Sequence, residues 1–152
     1  MIKVGVCLVV LVVSLAACGS SSSQVVIAAT PLSGTVDGMP WTFQVGATNA
    51  FLSEGETDFF ATFHASSYMT CVTSGPTELS LIASVPRQPG DFDLDFERSV
   101  TFVGADDFNR VTAEGRIEID SVTATMVTGG LHATFDKSNE VNGRFQISVC
   151  PQ

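Results

Sequence analysis

The sequence predicts an all-β domain, an antiparallel β-sandwich of about eight or nine strands, with a small β-barrel as the alternative architecture. Three observations support this prediction. Apolar and polar residues alternate over short stretches instead of recurring at helical spacing. Gly, Thr, Ser, Val and Phe dominate the chain beyond residue 31. The length of 152 residues, of which 45% are hydrophobic, suits a single core. We therefore expect one domain whose strands each bury one face.

The first 17 residues are predicted to be a signal peptide and not part of the fold. Lys3 is the only charge among them, and it precedes an apolar run, Val4 to Val13. That run has ten residues, whereas a membrane-spanning helix needs about 20. It is followed by Leu15, Ala16, Ala17 and Cys18. These four residues resemble the lipobox of bacterial lipoproteins, in which small side chains precede a cysteine that receives lipid.

The resemblance implies that Cys18 becomes the mature N-terminus, S-lipidated and N-acylated with fatty acid such as palmitate. Several acyl chains give durable membrane anchoring. The alternative is an ordinary secretory signal cut near Ala17, with Cys18 a spare thiol. Gly19 and the serines after it predict a flexible tether over residues 18–31, followed by a single β domain over residues 32–152. Gly19 in place of Asp implies the outer membrane of the cell envelope, with the domain facing the periplasm or the cell surface.

The first strand pair is marked by a turn. Asp37 and Gly38 lie between two β-prone runs, and this dipeptide favours a two-residue hairpin connection. The pattern therefore predicts a hairpin across residues 34–43. The side chains expected to face inward from this region are Trp41, Phe43 and Val45.

The middle of the chain contains one ambiguous segment. Residues 56–74 contain neither Gly nor Pro, and one helical stripe could be formed by Phe60, Phe63, His64 and Ser67. The Phe and Thr content favours a strand instead. The next segment is clearer, because its apolar residues share one parity and predict a half-buried strand: Leu79, Leu81, Ala83 and Val85.

The run from Gly90 to Glu97 alternates four carboxylates with three apolar residues. We interpret it as an amphipathic strand with its acids in solvent, where like charges discourage edge-to-edge aggregation. The residues expected in the core are Phe92, Leu94 and Phe96. An unbroken strand would also point Arg98 inward, so we expect the chain to turn near Glu97 and Arg98 and to leave Arg98 at a strand end.

The same run raises a calcium hypothesis, with Asp91, Asp93 and Asp95 as the candidate ligands. An EF-hand loop requires Gly at its sixth position and Glu at its twelfth, but Phe occupies both when counting starts at Asp91. In an extended strand, Asp91 and Asp95 would be roughly 13 Å apart, whereas oxygens that share one calcium lie at most about 5 Å apart. Calcium is therefore the minor interpretation, and we expect neither a metal nor another cofactor.

The C-terminal third predicts an antiparallel meander. Gly115, Gly130 and Gly143 each open an alternating stretch, and the 13 to 15 residue spacing suits successive strands. Turns are expected near residues 121–125 and 136–139. The inward-facing residues of the first and third stretches would be Ile117, Ile119, Phe145, Ile147 and Val149.

The cysteine count predicts one disulfide. Cys7 is lost with the signal peptide and Cys18 is used for lipid, so Cys71 and Cys150 remain in an oxidising, exported setting. Their bridge would close a loop of about 80 residues and stabilise the fold by roughly 4 kcal/mol. A metal pair or a reactive thiol is the competing interpretation, but no Cys-x-x-Cys motif or nearby His/Cys cluster supports either.

Charge and motifs exclude several functional classes. The chain has 16 acidic and 7 basic residues, and loss of the signal peptide leaves 135 residues with net charge −10. Scattered basic residues argue against nucleic acid as a partner. No Gly-x-Ser-x-Gly, His-Glu-x-x-His or P-loop motif occurs. The only histidines, His64 and His132, lie at polar positions of their predicted strands, so we assign no catalytic residue.

The sequence thus favours a non-enzymatic, lipid-anchored domain with an interaction or envelope-structural role, bound to the membrane by its lipid and to a protein or glycan partner. The alternative is a module that binds calcium, a small ligand or a sugar, the last through exposed aromatics such as Trp41 or Tyr68. A hydrolase is the remote alternative. The opening Ser33–Gly38 and the close Val141–Phe145 before Cys150 resemble small all-β lipoproteins of unknown function, a resemblance that implies no activity.

Overall fold

The computed structural model describes residues 25–77, 79–105 and 108–151 and shows an all-β fold with eleven strands and no helix in these ranges. The strands are β1 (Ser33–Val36), β2 (Met39–Thr42), β3 (Val45–Thr48), β4 (Asp58–His64), β5 (Ser80–Pro86), β6 (Gly90–Asp93), β7 (Val100–Val103), β8 (Asn109–Thr112), β9 (Gly115–Val122), β10 (Met126–Asp136) and β11 (Asn139–Ser148). The all-β prediction is confirmed. The strand number exceeds eight or nine because the chain between residues 33 and 48 divides into three short strands.

All eleven strands belong to one sheet, with β6-β9-β10-β11-β3-β4-β5-β7-β8 as its main order. β1 pairs with β11 and with β2. The pairs are antiparallel except β11 with β3, which run parallel through Ser148 and Ala47. One core cluster collects side chains from both ends of this order, for example Phe102 of β7 and Ile117 of β9. The sheet is therefore curled around a single core, like half of a barrel.

The first hairpin has the turn that its sequence predicts. Val36 pairs with Met39, and the two residues between them have left-handed φ angles, 53° at Asp37 and 72° at Gly38. These angles define a type I′ turn, which matches the twist of the flanking strands. Trp41 is buried with 3% exposure, and Phe43 packs against the core partly buried.

The predicted C-terminal meander is also confirmed. β9, β10 and β11 pair antiparallel in sequence order. The side chains predicted to face inward are buried or packed against the core: Ile117, Ile119, Phe145, Ile147 and Val149. Gly143 opens the alternating stretch of β11, and sterics explain why this residue is a glycine. A Cβ at this position would lie 2.7 Å from the backbone of Leu32.

The ambiguous segment forms a strand and then a long connection. β4 ends at His64, and the described residues of the connection, 65–77 and 79, contain no strand before β5 begins at Ser80. The two strands pair from Asp58 with Pro86 to His64 with Ser80. The described part of the chain contains no helix of the length and apolar character that a membrane span requires.

One core prediction in the acidic run is wrong. Phe96 is 98% exposed, whereas Leu94 is buried and Phe92 is partly buried. The chain leaves β6 after Asp93 and turns, because the Asp95 carboxylate accepts hydrogen bonds from the backbone N–H groups of Glu97 at 2.8 Å and Arg98 at 2.7 Å. This turn places Phe96 at its tip. The expected turn near Arg98 is thereby confirmed.

Candidate functional site

An open groove of about 640 Å³ lies on the outer face of the sheet. We call it the His64 groove. Its floor is formed by outward-facing residues of adjacent strands, namely Thr62 of β4, Ile82 of β5 and Val103 of β7. The inward-facing neighbours of these residues, such as Phe63 and Leu81, belong to the core. The groove therefore uses the face of the sheet that alternation predicts to be exposed.

The connection between β4 and β5, residues 65–79, forms one wall of this groove. A disulfide joins its Cys71 to Cys150, with a Cα–Cα distance of 5.2 Å, so the structure has the pairing that the cysteine count predicts. The Thr70 and Ser148 hydroxyls lie 3.3 Å apart. At the end of the connection, the indole N–H of Trp41 donates to the Leu79 carbonyl at 2.7 Å. The wall is thus fastened to the sheet at its middle and its end.

His64 lies on the groove side of β4 but is only 4% exposed, because the connection covers it. Its ring meets Tyr68 edge-on at 4.9 Å. On the other side, a Cβ at Gly75 would lie 2.6 Å from Nε2 of His64, so only glycine fits there without a shift. The polar strand position predicted for His64 is right, yet the side chain is buried.

Burial favours the neutral form of the His64 imidazole. Neither ring nitrogen has a hydrogen-bond partner of good geometry. Burial lowers the pKa of His64 below 6.5, and the nearby Pro76 carbonyl opposes this effect more weakly. A neutral imidazole offers one N–H donor and one acceptor nitrogen. Both capacities are unused.

No Asp, Glu, Lys or Arg is found among the groove's described lining residues. Its polar groups are hydroxyls and amides, contributed by Thr48, Asn49, Thr62, Tyr68, Thr73, Ser74, Thr77, Ser80 and Asn109. Phe51 adds an aromatic ring that is 82% exposed. The described lining is therefore uncharged and combines hydroxyl partners with apolar contact area, on a chain whose formal charge is −9.

The other histidine and the buried tryptophan lie elsewhere. His132 is 8% exposed, with Nε2 3.8 Å from a carboxylate oxygen of Glu140 and with no partner for Nδ1. Trp41 belongs to the core, so its ring is not available to stack on a sugar. Tyr68 is half-buried and does line the groove.

The three aspartates of the calcium hypothesis do not converge. Asp91 pairs with Arg116 at 3.3 Å, Asp95 accepts the turn hydrogen bonds described above, and Asp93 is exposed at the end of β6. In the ranges that the structure describes, no group of three His, Cys, Asp or Glu side chains could hold a metal ion.

The predicted signal peptide and Cys18 lie outside the described residues, as does the first part of the tether. The described chain before β1 runs beside β11. The backbone N–H of Ala28 donates to the Asn142 side chain at 2.9 Å, and the N–H of Arg144 donates to the Thr30 carbonyl at 2.8 Å. These contacts fix where the chain enters the fold.

The His64 groove was not predicted from the sequence. Its members are dispersed from Ala47 to Pro151, and the connection that covers them has no periodic pattern. The length of that connection was the available signal, because long loops without secondary structure inside compact domains tend to be functional.

Fold and site together define an all-β protein with a single curled sheet and, on its outer face, a groove whose described lining residues carry no charge. No family model, curated protein or solved structure matches the chain.

Proposed function

We propose that this protein is a lipid-anchored, extracytoplasmic binding protein without enzymatic activity, and that its His64 groove takes a small uncharged ligand that carries hydroxyl groups, such as a sugar. The observation that carries this proposal is the absence of charged side chains among the groove's described lining residues, together with its volume of about 640 Å³, which lies within the range of small-molecule sites. Hydroxyls both donate and accept hydrogen bonds, so they suit a lining of hydroxyl and amide groups.

Binding is favoured over hydrolysis by the surroundings of His64. A catalytic histidine is normally bonded to a nucleophile on one side and to an orienting group on the other. Both ring nitrogens of His64 lack such partners. The groove's described residues also supply no carboxylate pair for glycosidase chemistry.

The test uses the chain from Gly19 to Gln152, which retains the whole core, and a panel of glucose, N-acetylglucosamine and their di- and trisaccharides. At least one sugar should shift the backbone amide resonances of Thr62 and Ser80 saturably and raise the unfolding midpoint. Ile82→Trp should fill the groove and abolish both effects. Ser84→Trp, on the same face of β5 but outside the groove, is the matched control.

The outcomes are distinct. If the sugar-induced resonance shifts persist in Ile82→Trp, the sugar binds outside the groove. If no neutral sugar causes a shift, the proposed ligand class is wrong.

Anchoring is tested separately through Cys18. Cys18→Ser should block processing at the lipobox and leave the protein unanchored, as shown by membrane fractionation and by mass spectrometry of the N-terminus. A mature, membrane-bound Cys18→Ser protein would refute the lipid assignment.

An interaction role with a protein partner is the second candidate, and Phe96 favours it. Phe96 is 98% exposed at the tip of a turn, where its ring is available for contact with a partner. Phe96→Ser should leave stability unchanged, since the side chain buries nothing, and should release a partner that co-purifies with the unaltered protein. Equal co-purification by both forms would remove this candidate.

A further inference from the structure

A second, smaller pocket of about 350 Å³ lies at the other end of the β4–β5 strand pair. Asp58 and Pro86 form the strand pair at this end, and His64 and Ser80 form the pair beside the groove. Six residues of extended strand separate Asp58 from His64, which corresponds to roughly 20 Å. We call this second site the Arg87 pocket, and it is separate from the His64 groove.

Two guanidinium groups line the Arg87 pocket, and each lies over an aromatic ring. The Cζ atom of Arg87 is 4.4 Å from the ring centre of Phe59, and that of Arg98 is 4.8 Å from the ring centre of Phe92. Such stacking restrains the side chain while its N–H groups stay free to bond in the guanidinium plane. Arg98 already donates to the Asp58 carboxylate, from its Nε at 2.8 Å and from a terminal nitrogen at 3.4 Å.

Arg87 differs from the other arginines of the described chain because it has no carboxylate partner. Each of the others lies within 3.4 Å of an Asp or Glu oxygen: Arg98, Arg110, Arg116 and Arg144. Arg87 instead donates from one terminal nitrogen to the Ser53 carbonyl, and its Nε–H is buried without an acceptor. In a chain with 16 acidic and 7 basic residues, an arginine without a counterion is unexpected.

We propose that the Arg87 pocket binds a carboxylate group. Two guanidiniums and the Asp58 carboxylate leave one net positive charge in the pocket, which a monoanion neutralises. A phosphate monoester, with nearly two negative charges, would overcompensate it. The planar fork of a guanidinium also matches the two oxygens of a carboxylate. Thr57 and Gln88 add a hydroxyl and an amide at the same pocket.

The experiment follows Arg87 directly in the chain from Gly19 to Gln152, labelled with ¹⁵N-arginine. Sodium acetate replaces sodium chloride at constant ionic strength, and the Nε–H resonance of Arg87 and the unfolding midpoint are measured. Both should change saturably. Arg87→Lys keeps the charge but loses the fork, so it should bind acetate roughly tenfold more weakly. Arg87→Gln should abolish the response.

Arg116→Gln is the matched control. Arg116 also has a buried Nε without a partner, but its charge is already paired, because the Asp91 carboxylate lies 3.3 Å from its guanidinium. Replacing Arg116 should therefore leave acetate binding unchanged. Asp58→Asn should tighten acetate binding severalfold by removing the competing charge. Ile82→Trp should have no effect on acetate binding, because Ile82 lines the His64 groove and not the Arg87 pocket. The acetate and sugar experiments can therefore fail independently.

The source of the carboxylate is resolved by comparing acetate with N-acetyl-Ala-Ala, in its free-acid and amidated forms. Tighter binding of the free acid than of acetate assigns the pocket to a peptide terminus, and equal binding assigns it to small carboxylates. A response to the amide, tighter binding of inorganic phosphate than of acetate, or an acetate response that survives Arg87→Gln would overturn the proposal.

Discussion

His64 combines almost complete burial with two ring nitrogens that lack hydrogen-bond partners. Leaving a buried polar group unsatisfied costs about 1–3 kcal/mol. The covering residues explain how the ring came to be buried: Tyr68 lies against its edge, and Gly75 allows the chain to pass over Nε2.

The first prediction concerns pH. Because burial lowers the folded-state pKa of His64 below its unfolded value of 6.5, the unfolded chain binds more protons once the pH falls below about 7. Stability is therefore complete above that range and declines as the pH falls through 6.5 toward the folded pKa. His64→Leu should remove this part of the decline. Urea unfolding between pH 7.5 and 5.5 measures it, and identical pH slopes for both proteins would contradict the prediction.

The second prediction concerns a single glycine. Gly143 has a φ of 146°, and a Cβ there would approach the backbone of Leu32 to 2.7 Å. Gly143→Ala should therefore destabilise the fold by at least about 2 kcal/mol. Gly55→Ala is the control, because Gly55 also has a left-handed φ, 75°, but has open space around it. That variant should cost only about 1 kcal/mol. Equal losses in urea unfolding would show that the close approach is unimportant.

Single residues also show where alternation stops being informative. The alternation of apolar and polar residues predicted correctly that Leu94 is buried. It predicted the same for Phe96, wrongly, because alternation cannot show where a strand ends. The relevant signal was the side chain of Asp95, which terminates the strand by capping the following turn. At His64, alternation predicted the correct face of the strand but not the burial, because the connection that follows and covers the ring has no periodic pattern.

At the level of elements, the connection of residues 65–79 depends on its disulfide. The Cys71–Cys150 bridge spans 79 positions of sequence and fastens the groove wall beside β11. The third prediction is that Cys71→Ser with Cys150→Ser lowers stability by about 2–4 kcal/mol and weakens any sugar binding. Urea unfolding and sugar titration measure the two effects. Dithiothreitol should lower the unaltered protein to the level of the double variant and leave the double variant unchanged; insensitivity of the unaltered protein would contradict the bridge.

Elements built from local contacts were predictable, and those built from distant ones were not. The type I′ hairpin and the β9–β10–β11 meander follow from turn residues and alternation within short windows. The parallel contact of β11 with β3 joins Ser148 to Ala47, about a hundred positions apart, and has no local signature. The His64 groove depends on such distant pairings, so its location required the structure.

For the whole molecule, the formal charge of −9 raises the question of divalent cations. The acidic side chains are dispersed, and several already face arginines, as Asp58 faces Arg98 and Glu118 faces Arg144. The fourth prediction is that millimolar calcium, compared with excess EDTA, leaves the thermal unfolding midpoint unchanged apart from a general ionic effect that magnesium reproduces. A calcium-specific rise of several degrees, abolished by Asp93→Asn, would restore the calcium hypothesis.

The position of β11 has a consequence for how this chain is made. β11 pairs with β10, β1 and β3, and the segment before β1 also runs along it. It is therefore the strand that joins the two halves of the sheet, yet it is the last described strand to be synthesised. A nascent chain that has not reached residue 139 cannot complete its core, however long it waits. The chain therefore reaches its folded shape only after synthesis has delivered the strand that joins the two halves of the sheet.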